Sequence, residues 1–113
     1  MTAFSEKTRQ AARERSAGRC DLCGMPVAAA HFHHRRPRGM GGTRRKDSGE
    51  LSNCLLLHPR CHADIESNRE RAIENGWLVP QYQDPESIPV KLWMGIRYLS
   101  SDGTLIAPVG TGL

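Results

Sequence analysis

Between residues 33 and 66, five side chains, His33, His34, Asn53, His62 and Glu66, form a set that could gather around one divalent ion. A histidine has an unperturbed pKa of about 6.5, so at neutral pH its imidazole is free to ligate a metal or accept a proton. His62 and Glu66 are four residues apart, which on a helix puts them on one face. Imidazoles and a carboxylate around one ion, with a further imidazole beside it, suit hydrolysis of a phosphodiester. The ion polarises the phosphoryl group, and the free histidine takes a proton from water. A second constellation lies around the first. Cys20-Asp-Leu-Cys23-Gly24 is matched about 35 residues later by His58-Pro-Arg-Cys61. The two pairs offer four ligands (Cys20, Cys23, His58 and Cys61) for a closed tetrahedral structural zinc. Gly24 permits the positive φ such a knuckle needs. A redox pair is the rival reading of the first half alone, but no surrounding βαβ pattern supports it. Cys54, among leucines, reads as a buried thiol.

These residues need elements to carry them. Ser5 to Ala17 lacks Pro and Gly and predicts a helix ended by Gly18, with Arg9, Arg13 and Arg15 turned toward solvent or phosphate. Val27 to Arg35 predicts a strand stopped by Pro37. Neighbouring strand residues point to opposite faces, so His33 and His34 reach one site only where the strand ends or bends. If it continued, His31 and His33 would share a face and His34 would turn away. Leu51 to Leu57 predicts a second strand with Asn53 at its start. Pro59 then opens a helix running to about Asn75, with Ile65 and Ala72 inward. Beyond Gly76, Trp77-Leu-Val79 and Val90 to Leu99 predict strands, and Asp102-Gly103 predicts a tight hairpin turn. The fold class expected is α+β: residues 1–19 a basic helix, 20–76 a zinc-stapled strand–strand–helix core, and 77–113 a small sheet, all in one domain.

The 113 residues suit a single core, and with 38% apolar residues that core needs reinforcement by a metal or disulfides. No apolar run approaches a membrane span, and the charged N-terminus lacks a signal core, which predicts a cytoplasmic protein with reduced thiols. Charge is unevenly spread. Residues 1–46 carry eleven Lys/Arg against three acids, and residues 47–113 five against nine. Six of the basic residues, Arg35, Arg36, Arg38, Arg44, Arg45 and Lys46, crowd a loop punctuated by Gly39, Gly41 and Gly42. Beside two histidines, that loop is expected to contact the phosphates of DNA.

His33-His34, Asn53 and Cys61-His62 at these spacings resemble the HNH endonuclease family and its ββα-metal fold. The runs His33-His-Arg-Arg-Pro-Arg-Gly-Met-Gly-Gly42 and Asn75-Gly-Trp-Leu-Val79 are similar to the small HNH proteins of tailed phages and prophages. The resemblance implies that His33 and His62 bind a catalytic divalent metal, that His34 is the general base, and that Asn53 orients the catalytic loop. It also implies products with 5′-phosphate and 3′-hydroxyl ends. Relatives commonly bind zinc through two CxxC pairs, and here His58 stands at the third ligand position. Many relatives place a histidine where this chain has Glu66, which leaves Glu66 open between a metal ligand and a surface acid. As a ligand it favours Mg²⁺ or Mn²⁺ over Ni²⁺ or Zn²⁺. Two other classes stay in view: a non-catalytic, zinc-stabilised DNA-binding module, and a partner of phage terminase in DNA packaging.

Overall fold

The computed structural model describes residues 3–37 and 49–108. Helix α1 runs Glu6–Ser16, its first turn capped by the Ser5 hydroxyl, which accepts from the Thr8 N–H. Ala17 and Gly18, both at positive φ, turn the chain out of it. Its apolar side is thin but enough to dock it: Phe4 and Ala12 pack on Leu51 and Cys54. Arg15, expected to face outward, is buried instead. It pairs with Asp21 at 3.2 Å and donates to the Leu51 and Cys54 carbonyls. Asp21 collects the Ser16 hydroxyl and the Leu56 N–H as well. Its carboxylate, well supplied with donors, explains why an arginine is drawn inward here.

The knuckle that follows closes through a bridge between Arg19 and Pro26. Gly24 has φ +77°, and a Cβ on it would meet the Trp93 ring at 2.8 Å. Strand β1 is His31–His34, shorter than expected, and pairs antiparallel with β2, Cys54–Leu57. His33 sits opposite Leu55 and His34 opposite Cys54. Leu51–Asn53 form a 3-10 turn rather than the start of β2. Every residue of β2 is buried, as befits a strand covered on both faces. The helix expected over 59–75 is two: α2, Pro59–Ser67, and α3, Arg69–Glu74. Asn68 breaks it, with φ −142° and ψ 79°, because its side chain caps α3 by accepting from the Arg71 N–H. Ile65 and Ala72 point inward as expected and are fully buried.

Trp77–Val79 is buried without being a strand. The remaining sheet is β3, Val90–Leu92, β4, Gly95–Leu99, and β5, Leu105–Ile106, antiparallel in that order. β4 leads into β5 through a three-residue loop, Ser101 to Gly103, one residue longer than a two-residue Asp102-Gly103 turn, with Gly103 at φ +94° donating to the Ser100 carbonyl. Leu55, Leu57, Ile65, Ala72, Leu78, Val90, Leu92 and Leu99 make one core between the two sheets and α2 and α3. The result is a small α+β fold consistent with a ββα-metal core. No helix among the described residues is long and apolar enough to cross a membrane.

Candidate metal centre

The β1–β2 pair and α2 bring His33, His62 and Glu66 together, with one ligand atom from each within 4.8 Å of the others. His33 leaves β1 inward and is 4% exposed. Its Nε2 lies 2.8 Å from the Trp77 carbonyl. A carbonyl only accepts, so Nε2 carries the proton and the Nδ1 lone pair is left for an ion. Burial pushes the His33 pKa down to about 4 against the pull of that carbonyl, with His62, His34 and Arg35 adding to the depression. Burial also lowers that of His62, aided by His31 and opposed by Glu66. Both rings are therefore neutral at pH 7. Two neutral imidazoles and a carboxylate are a donor set that fits a divalent cation.

A pocket of about 280 Å³ opens over this group, lined by Phe32, His33, His34, Pro37, His62, Glu66 and Arg69. β1 continues in register through His34, so His31 and His33 share the face toward His62, while His34, opposite Cys54, lines the same pocket just before the chain bends at Arg35 and Arg36. The His34 ring is held by Phe4, stacked at 3.9 Å and 14°. The bend itself is clamped by Asn53, which is fully buried. Its side-chain oxygen accepts from the Arg36 N–H at 2.6 Å, its amide donates to the Arg36 carbonyl, and its own carbonyl accepts from the Arg35 N–H.

The second cluster joins Cys20, Cys23 and Cys61, again with their sulfurs within 4.8 Å of one another, and these could hold a metal. Burial disfavours the Cys20 thiolate. N–H donors from Cys23, His58 and Leu22 outweigh it and bring the pKa below the ordinary thiol value. Burial and the neighbouring sulfurs push Cys61 up to about 12, which a shared cation would reverse. The His58 ring does not join this group, contrary to the expected Cys₃His set. His58 precedes Pro59, which confines it to the extended region (φ −61°, ψ 146°), and it meets Cys20 Sγ through its backbone N–H at 3.4 Å. Cys54 stays apart as expected, buried with its pKa raised to about 12.

The basic loop divides. Arg35 is fully buried and donates to the carbonyls of Gly76, Ser52, Pro85 and Ile88. Arg36, 4% exposed, donates to the Gln83 carbonyl. As direct phosphate contacts these two are corrected, because their guanidiniums hold the fold together. Arg38, Arg44, Arg45 and Lys46 lie outside the described residues.

Three further residues, none of them among the expected site residues, neighbour the site. His31 lies 3.0 Å from His62, ring nitrogen to ring nitrogen; the i, i+2 alternation with His33 was the available signal. Phe4 is remote in sequence and left none. Arg69, three residues beyond Glu66, pairs with it at 2.8 Å and lines the pocket. No curated protein and no solved structure matches the chain. A family model, described as HNH endonuclease, matches residues 20–68, from the first knuckle cysteine through β1, β2 and α2. Both the cysteine and the histidine clusters lie inside that span, so over residues 20–68 the chain is similar to the HNH endonuclease family.

Proposed function

We propose that the chain is a metal-dependent DNA endonuclease that hydrolyses phosphodiester bonds. One observation carries the reading: His33, His62 and Glu66 face one point, and His34 lines the same pocket. His33, through Nδ1, His62 and Glu66 would hold a divalent ion, with Mg²⁺ or Mn²⁺ favoured by the carboxylate. Such an ion, when bound, supplies Lewis-acid stabilisation of the charge that develops on the phosphoryl and leaving oxygens.

The rest belongs to the protein. His34 takes a proton from the attacking water, its ring held flat on Phe4 and its loop held by Asn53. Arg69 offers a cation to the substrate phosphate from the wall of the pocket. Water attacks phosphorus, the P–O3′ bond breaks, and 5′-phosphate and 3′-hydroxyl ends result. Cys20, Cys23 and Cys61 would hold a structural zinc, which would tie the knuckle to α2. Resemblance to phage HNH proteins supports DNA packaging as the setting and large terminase as a partner; co-purification of the two would test that setting.

The test of the activity is incubation of the chain with supercoiled plasmid in Mg²⁺ or Mn²⁺ beside an EDTA control. Relaxed or linear DNA formed only with the metal is the expected result. Intact plasmid at every metal tested would reduce the chain to a DNA-binding module.

A further inference from the structure

Each imidazole has two nitrogens, and a metal ligand needs its proton fixed on the one facing away from the ion. For His33 a backbone carbonyl does this, that of Trp77. For His62 the partner is a side chain. His62 Nδ1 lies 3.0 Å from His31 Nδ1, with the rings edge to face at 86° and centroids 5.2 Å apart. Two ring nitrogens at this distance share one proton, so one donates and the other accepts. β1 makes the contact possible: His31 and His33 are two residues apart on one face of the strand and both reach His62 from it.

We infer that His31 is a positioning residue of the metal centre, holding His62 by accepting its Nδ1 proton so that the Nε2 lone pair faces the point shared with His33 and Glu66. This rests on the proposed metal-dependent activity for its purpose, though not for its geometry. The assignment fixes both tautomers. His62 is protonated on Nδ1, and His31, accepting there, carries its own proton on Nε2. Because the partner is a side chain, it can be removed without touching a ligand.

The test is calorimetric titration of Mn²⁺ into the full chain with its cysteine site filled with zinc. His31→Phe keeps a flat ring at the contact but has no nitrogen to accept, whereas His31→Gln restores an acceptor. His31→Ala serves as the acceptor-free variant if the Phe form does not fold. Loss of an outer partner of a ligating histidine weakens metal binding by about 10–100-fold. That loss is expected for Phe and Ala, with Gln within about threefold of the parent chain. Pulsed EPR of bound Mn²⁺ should count the same number of imidazoles in all. Parent-like affinity in both Phe and Ala variants would overturn the inference. So would loss of one coordinated imidazole on substitution, because His31 would then be a ligand itself. A parent chain that binds no Mn²⁺ removes the inference together with the metal site. A parent chain that binds Mn²⁺ but leaves plasmid intact defeats the nuclease reading alone, and the role of His31 stands.

Discussion

At the scale of single residues, the site is prepared by burial as much as by charge. His33 is neutral because its ring is enclosed, and the Trp77 carbonyl fixes which nitrogen faces the pocket. That has a cost in acid. The unfolded chain takes up a proton on this histidine near pH 6.5, while the folded chain resists until about 4. Its contribution is therefore fully present above pH 6.5 and lost as the pH falls from 6.5 to 4, worth about 3 kcal/mol in all. In buffer without Mg²⁺ or Mn²⁺, the melting temperature should drop on the order of 10 °C across that window. His33→Gln should keep only the smaller share that His62, also lowered by burial, contributes. An unchanged acid slope in that variant, followed by calorimetry from pH 7.5 to 4, would contradict the account of His33.

At the scale of elements, the two clusters meet at the start of the same short helix, α2. β2 delivers the chain to α2, whose first turn carries Cys61 and then His62, one residue for each metal group. A clip at Cys20–Cys23–Cys61 thus helps fix where His62 points. Cys23→Ser should abolish the one bound zinc per chain and lower the melting temperature, since metal binding in such a knuckle is coupled to folding. Cys54→Ser should retain the zinc, because Cys54 lies with Phe4 and Ala12, away from the other thiols. Zinc measured by atomic emission decides it, and retention of zinc by Cys23→Ser would remove the clip. The elements themselves were partly legible. Ser5 and Gly18 mark α1, Pro59 marks α2 and Asp102-Gly103 marks the last hairpin, each through a local backbone preference. The break at Asn68 was missed because its cap competes with a continuous helix on nearly equal terms. The short span of β1 was missed because pairing with β2, not composition, sets its length.

At the scale of the molecule, one buried arginine joins what the sequence keeps far apart. Arg35 follows the histidine pair and binds carbonyls from residues 52, 76, 85 and 88, so the site loop is anchored to the segment that leads into β3. Burial draws its pKa down to about 9, still high enough to keep it charged. Arg35→Ala would strand four carbonyls and should cost at least about 3 kcal/mol. Arg35→Lys should recover only part of this, since one ammonium cannot span the fork. Urea unfolding checks both, and a shift under about 0.5 kcal/mol for the Ala variant would refute the anchor. This role was hidden in the sequence, where Arg35 is one of six basic residues near a glycine-rich loop and reads as a phosphate contact. The gathering of His33 and His62, by contrast, was readable as a candidate metal site because metal chemistry tolerates few residue types. The most direct measurement on the whole account is the nicking rate of supercoiled plasmid by His34→Ala in saturating Mn²⁺. The account predicts a rate lower by about 10²–10⁴-fold than that of the parent chain, with Mn²⁺ affinity unchanged. Nicking by His34→Ala at the parent rate would contradict it.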